Sequence, residues 1–192
     1  HHYGAQVLLD AAQTIPHKKI DVQELDVDFL AFSIHKMCGP RGIGILYGKE
    51  SLLGNKYHEI EEAENVILPA ILGGGTVGDS LDHDYYLLDP PDRFETGIQN
   101  YPGQIAAGAA LQYLEEIGID NISNHISRLN SYLTAQLTRL YGNCGWFRIL
   151  GPADPLKRSG ILTFEVKRPN AVGIADELDS RCNIMIRDGV YC

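Results

Sequence analysis

An α/β fold is what the 192-residue sequence predicts. Short apolar runs such as Val7-Leu8-Leu9 and Phe29-Leu30-Ala31-Phe32 recur without polar alternation, the pattern of strands covered on both faces. Two later segments carry apolar residues at helical spacing and end at Gly or after a long polar-apolar repeat. Strand patterns then resume beyond the helices, which sets a second, smaller sheet apart from the first.

In chain order, residues 7–9, 29–33 and 42–47 read as strands of the first sheet, and residues 49–53 as one helical turn. Residues 55–92 read as irregular and polar, with Gly73-Gly74-Gly75 and Pro90-Pro91 as breakers. A helix is expected over residues 102–117, because Pro102 suits a first turn and Gly118 an end. Its buried face is expected at Ala106, Ala110, Tyr113, Leu114 and Ile117. A second helix is expected over residues 122–141, buried along Ile122, Ile126, Leu129, Leu133, Leu137 and Leu140. Residues 147–150 and 161–166 read as strands of the second sheet, Asn170 as the N-cap of a helix through Ala175 and Leu178, and residues 184–186 as a closing strand. The expected division is a large α/β portion over residues 1–110 and a smaller α+β unit over residues 111–192.

Hydrophobic residues at 44% and charged residues at 21% are ordinary usage, which excludes disordered, collagenous and coiled-coil classes. Lys and Arg total 16 against 25 Asp and Glu, a net charge of -9, so the basic face of a nucleic-acid binder is not expected. The run from Ile105 to Leu111 is far shorter than the ~18 residues of a membrane span, and no signal peptide is visible. Neither a membrane nor a nucleic acid is therefore an expected partner. Cys38, Cys144, Cys182 and Cys192 lack CxxC spacing, which points to a reducing, cytoplasmic setting. The histidines lack metal-ligand spacing, so no metal is expected, and His83 between Asp82 and Asp84 reads as a solvated turn. The strand pattern at Val7 and the turn that stops at Cys192 read as the ends of an internal piece of a longer chain.

Candidate chemistry gathers around Lys36. Ser33-Ile34-His35-Lys36 stands at a strand end, before Gly39-Pro40-Arg41-Gly42-Ile43-Gly44. Open α/β sheets bind ligands in the crevice outside their strand ends. A lysine there can form a Schiff base with a carbonyl once burial or a neighbouring cation lets it shed its proton. On spacing alone, a structural or surface lysine is the favoured reading. Asp10 closes the first strand, with Gln13 three residues on. A carboxylate at the end of a buried strand needs a partner, either a helix N-terminus or the cationic ring nitrogen of a cofactor. Opposite charges ~4 Å apart attract by ~4 kcal/mol at an effective dielectric of about 20, ample to hold such a ring protonated. Gly73-Gly74-Gly75-Thr76 lacks the Gly-Lys-Ser/Thr of a phosphate-binding P-loop.

Taken together, Val7-Leu8-Leu9-Asp10-Ala11-Ala12-Gln13, then Asp28-Phe29-Leu30-Ala31-Phe32-Ser33-Ile34-His35-Lys36, then Gly39-Pro40-Arg41-Gly42-Ile43-Gly44-Ile45-Leu46-Tyr47 closely resemble the class V aminotransferase family. These are fold-type I enzymes that use pyridoxal phosphate, and the likeness is nearest to the cysteine desulfurase and selenocysteine lyase branch. It runs along the whole chain, strongest at residues 7–47 and good at residues 73–76, 93–100 and 187–192. The resemblance implies part of a fold-type I large domain followed by most of an α+β small domain. It also implies a pyridoxal 5'-phosphate cofactor, an amino-acid substrate, a homodimer and a sulfur-acceptor protein.

Residue by residue, Lys36 is similar to the Schiff-base lysine, Asp10 to the carboxylate on the pyridinium nitrogen, and Gln13 to the donor to the ring phenolate oxygen. Ser33 and His35 are similar to phosphate ligands. Arg187-Asp188-Gly189-Val190-Tyr191-Cys192 resembles the Arg-x-Gly-x-x-Cys loop of one desulfurase subgroup, in which the cysteine thiolate takes the sulfur and becomes a persulfide. Arg187 would favour that thiolate on the substrate side. Cys38, Cys144 and Cys182 are expected in apolar settings and inert. Two positions depart from the family pattern. Ile98 stands where the family has a Thr that reaches the neighbouring subunit's phosphate, and Val190-Tyr191 stands where the nearest desulfurases often carry two histidines. The resemblance also places further cofactor and substrate ligands outside this sequence, so weak cofactor binding is expected of the piece by itself. Desulfuration is thus one expected function. Transamination, epimerisation or another carbon-centred lyase reaction is a second. An inert portion that packs against a partner chain or its own missing half is a third.

Overall fold

The computed structural model describes residues 1–54, 66–81, 84–167 and 173–189. It divides into two compact units, His1–Ser123 and Asn124–Cys192. No helix among the described residues is long and apolar enough to cross a membrane. The expected Asn170 cap and the turn at His83 lie outside the described residues.

The first unit is built on a three-stranded sheet of β1 (Leu8–Asp10), β2 (Phe29–Ser33) and β3 (Gly44–Gly48), in the order β1-β2-β3. β1 and β2 are parallel, with Leu8, Leu9 and Asp10 opposite Phe29, Leu30 and Ala31. β3 returns antiparallel to β2. A short helix, α1 (Val22–Leu25), makes the crossover; the Asp21 carboxylate caps it by accepting from the Gln23 and Glu24 amides. Burial on both faces holds for β2, whose Phe29 and Leu30 are 9% and 2% exposed. It does not hold for the flanking strands: Leu8 and Leu46 are 60% and 65% exposed. Among the described residues β1 and β3 are the sheet's edges, with no element packed over these side chains.

Asp28, immediately before β2, ties all three strands at their other end. Its Oδ2 accepts from the Val7 amide at 2.7 Å and pairs with His1 Nε2, and its Oδ1 lies 3.1 Å from Lys49 Nζ. Lys49 also pairs with Asp26 at 2.6 Å. The Val7 amide, followed by the Lys49 ammonium, holds the Asp28 carboxyl below its ordinary pKa against the opposing effect of burial. Lys49 is pushed up by the same contacts, Asp26 first and Asp28 next.

After the turn α2 (Glu50–Leu53), the region expected to be irregular contains an antiparallel hairpin, β4 (Val77–Leu81) with β5 (Asp84–Leu87). Asp79, Asp84, Tyr85 and Tyr86 are exposed on it, and its one apolar stretch, Tyr85–Leu88, is short and runs into Asp89-Pro90-Pro91. Helix α3 (Tyr101–Ile117) starts where expected: the Asn100 side chain accepts from the Gly103 amide at 3.1 Å, and Gly118 closes it with a bond to the Leu114 carbonyl. The buried face differs from the expected one. It consists of Gly103, Ala107, Ala110 and Leu114, whereas Ala106 is exposed and Tyr113 and Ile117 are 54% and 39% exposed. The inward small residues leave room for the Ile34, Met37 and Ile43 side chains that pack against them. Ile34, Met37, Ala107 and Leu114 form one core cluster there, and Ala11, Val27 and Leu30 form a second under the sheet.

From Asn124 on, helix α4 (Ile119–Tyr141) belongs to the second unit. Its expected leucine stripe is half open, with Leu129, Leu133 and Leu140 at 55%, 45% and 53% exposure. The buried position is Asn130, whose amide donates to the carbonyls of Pro155 and Ser159. Thr134 donates to the Asn130 carbonyl and accepts from Arg158 at 2.7 Å. The helix thus turns this hydrogen-bonded chain, and not the whole leucine stripe, toward the rest of the unit. β6 (Phe147–Leu150) and β7 (Thr163–Val166) form an antiparallel pair, and Tyr141, Trp146, Phe147 and Phe164 stack beside it. Helix α5 (Ile174–Cys182) ends on Asn183 in the left-handed region. Residues 184–186 are not a strand: the Ile184 amide is committed to the Leu178 carbonyl, closing the helix, and Met185 is 87% exposed.

Two stability outcomes follow. Leu114→Ala should cost about 2–5 kcal/mol in denaturant unfolding, while Leu129→Ala should cost well under half as much; equal costs would refute the observed helix phase. Because the Asp28 pKa is depressed in the fold, its contribution is full above the ordinary carboxylate range and is lost as pH falls through the lowered value. Asp28→Asn should therefore lower the melting temperature at neutral pH and flatten its fall on acidification. A melting curve with unchanged acid sensitivity would contradict this role.

Candidate active site

The parallel register fixes where candidate residues gather. Asp10 ends β1 level with Ala31, and β2 runs two residues further to Ser33. Both strands therefore deliver their last residues to the same edge of the sheet. The Ala11 amide donates to the Ala31 carbonyl at 2.9 Å, which extends this pairing past the strand. Asp10 then folds back on itself, one carboxylate oxygen accepting from the Ala12 amide at 2.9 Å. The other oxygen is not engaged among the described residues. Gln13 lies exposed in the turn that follows.

Beyond Ser33 the chain enters a single 3-10 turn, Ile34–Lys36. In such a turn residues three apart eclipse each other, so Ile34 and Met37 share one face. That face is the buried one, at 0% and 5% exposure. His35 and Lys36 are consequently turned outward and are exposed. Among the described residues, the Lys36 amine, the His35 ring, the Ser33 hydroxyl and the Gln13 amide hold no hydrogen-bond or ionic partner. Cys38 follows in the left-handed region (φ 62°), and Gly42 takes φ 81°, which turns the chain into β3. Contrary to the expected apolar settings, Cys38 and Cys182 are exposed and Cys144 is half-buried. One stands on the tight turn and the other on the last residue of α5.

A second pair of loops lies in the same unit. Thr76, fully buried, donates its hydroxyl to the Gly73 carbonyl and accepts from the Gly73 amide. The Gly97 amide donates to the Gly74 carbonyl at 2.7 Å, and the Thr96 hydroxyl to the Ile71 carbonyl at 3.0 Å. Gly97 adopts φ 84°, and Ile98 beside it is 94% exposed. Arg93, also fully buried, donates to the Gly54 carbonyl, while its Nε and Nη1 have no acceptor among the described residues. Burial pulls its pKa below the ordinary value, against the attraction of Asp89. The sequence offered no sign that Arg93 or Thr76 would be buried, since neither sits in an apolar run.

In the second unit Arg187 is exposed on the segment after α5. Cys192 lies outside the described residues.

This donor set fits pyridoxal phosphate. The group presents an aldehyde, a ring nitrogen that carries a proton, a phenolate oxygen and a phosphate. The sheet edge presents an open amine, an open carboxylate oxygen, an amide, a hydroxyl and an imidazole.

The family model for aminotransferase class-V matches residues 1–192. A cysteine desulfurase of Dickeya dadantii is 39% identical over 199 residues, covering 100% of this chain and 42% of the relative. One from Escherichia coli is 36% identical over 199 residues, covering 100% of this chain and 43% of the relative. Among solved structures, the apo cysteine desulfurase from Thermococcus onnurineus NA1 superposes with a TM-score of 0.80 at 34% identity, covering 96% of this chain and 42% of that one. The chain thus spans about 42–43% of the length of these curated relatives. The α/β fold expected from the sequence is the one these enzymes share. On the whole-length match and these identities, the chain belongs to the class-V aminotransferase family.

Proposed function

We propose that this chain carries the Schiff-base lysine and the sulfur-accepting cysteine of a pyridoxal-phosphate-dependent cysteine desulfurase. Such an enzyme removes sulfur, or selenium, from L-cysteine or selenocysteine by way of a cysteine persulfide. The observation that carries the reading is the outward-facing Lys36 at the sheet edge where Asp10 also ends. The desulfurase relatives at 36–39% identity support it.

When bound, pyridoxal phosphate supplies an aldehyde and a ring that draws electrons from the substrate. In this reading the open oxygen of Asp10 keeps a proton on the ring nitrogen, and the Gln13 amide donates to the phenolate oxygen. The Ser33 hydroxyl and His35 imidazole anchor the phosphate. Lys36 makes the covalent attachment and, released by substrate, moves the proton at its amine. The Cys192 thiolate takes the sulfur, and Arg187 favours the thiolate over the thiol. A homodimer, a sulfur-acceptor protein and a cytoplasmic location belong to the same proposal. So does the assignment of residues 1–110 to a cofactor-binding portion and residues 111–192 to a small domain. A carbon-centred reaction on another amino acid is the second reading. It is favoured by Val190-Tyr191, which stand where the nearest desulfurases often carry two histidines.

In the full-length protein, borohydride reduction should fix the cofactor on the peptide containing Lys36, and Lys36→Ala should abolish that adduct. Fixation on another lysine would refute the assignment. Cys192→Ser should leave the labelling of Lys36 intact and abolish sulfide release from cysteine. Sulfide release that survives would favour the second reading. Ile98→Thr restores a hydroxyl, and equilibrium dialysis should show cofactor retention tighter by about tenfold, the worth of one hydrogen bond to a charged group. Unchanged retention would mean that position 98 makes no such contact.

A further inference from the structure

Residues 34–43 join β2 to β3 and carry Lys36 on their outer side. Both arms of this loop rest on helix α3. On the leading arm, a Cβ placed on Gly39 would stand 2.2 Å from Ile34 Cγ2, 3.1 Å from the Ile34 carbonyl oxygen and 3.3 Å from the Ala110 Cβ. On the trailing arm, a Cβ placed on Gly103 would stand 2.8 Å from Ile43 Cδ1 and 2.5 Å from Asn100 Nδ2. The arms are also bonded to each other: the Gly39 amide donates to the Ile34 carbonyl, and the Ile34 amide to the Ile43 carbonyl, both at 3.1 Å.

Gly39 does not have the positive φ that demands glycine at Gly42 and Gly97. Space demands it instead. The atom it makes room for is the Cβ-borne methyl of Ile34, the first residue of the 3-10 turn that ends with Lys36. Ile34 is fully buried, so the methyl has nowhere to retreat. A side chain at position 39 would move either Ile34 or the backbone bonded to it, and the turn would rotate with it.

We propose that Gly39 is a positioning residue for Lys36, acting through Ile34: the missing Cβ sets the rotation at which the turn presents the amine. This rests on the reading of Lys36 as the Schiff-base lysine. The test uses the full-length protein stripped of cofactor, with pyridoxal 5'-phosphate itself as the probe. Its readouts are the rate of borohydride-fixed labelling at Lys36 per folded molecule, the pH of half-maximal labelling, and the melting temperature. Gly39→Ala should slow labelling at least about tenfold and shift its pH midpoint, since a misplacement of ~1 Å can cost about a hundredfold. Ile34→Leu removes the offending methyl at nearly constant volume. In the double variant it should return the rate to within about twofold of the parent.

Labelling of Gly39→Ala at the parent rate and pH, with the parent labelled at Lys36, would overturn the positioning role and leave the reading of Lys36 intact. Labelling of the parent at another residue would overturn both. A folded double variant that stays slow would show that the effect does not run through Ile34 and would overturn the proposal. Loss of fold in both variants would mean that Gly39 serves the core alone, and would overturn it as well.

Discussion

The parallel pairing of β1 with β2 is the constraint on which the candidate site depends. Opposing Asp10 to Ala31 sends the ends of two strands to one end of the sheet, although a crossover and the whole of β2 separate Asp10 from the turn that carries Lys36. The register is secured at the opposite end, where the buried Asp28 carboxylate accepts from the Val7 amide and meets Lys49. One acid thereby joins the segments that lead into β1, β2 and out of β3. A slip of one residue would turn the Asp10 side chain to the other face of the sheet.

Close packing then determines how the edge presents its groups. Apart from Leu114, the inward face of α3 is made of glycine and alanine, which lets residues 34–43 approach it. With Ile34 and Met37 held in the core, His35 and Lys36 can only face outward. The same helix begins at Asn100, directly after the loop whose Gly97 is bonded to Gly74. The lysine turn and the glycine loops thus share one supporting helix within the first unit.

Much of this was legible in the sequence. β2 was found with its bounds intact because it is a dense apolar run between polar residues, and α3 because Pro102 and Gly118 mark its ends. The candidate site residues form a constellation only through family resemblance, since spacing alone leaves Lys36 and Asp10 each with an ordinary structural explanation. What escaped was set by tertiary contacts. The face of α3 was misjudged because large apolar side chains were counted as inward, while the structure turns Gly103 and Ala107 in and Tyr113 out. The rotation of α4 was misjudged because a hydrogen-bonded Asn130, and not the whole leucine stripe, faces inward. The hairpin β4–β5 was hidden by the shortness of its one apolar stretch, and residues 184–186 by an apolar composition that serves a helix end instead.

The central claim is that Asp10 and Lys36 act on opposite ends of one ring. Nitrogen-15 NMR of the full-length protein loaded with ring-labelled pyridoxal phosphate reads the protonation of the ring nitrogen directly. The account predicts a protonated nitrogen at neutral pH in the parent and a deprotonated one in Asp10→Asn, with the cofactor attached to Lys36 in both. The same protonation state in both proteins would contradict it.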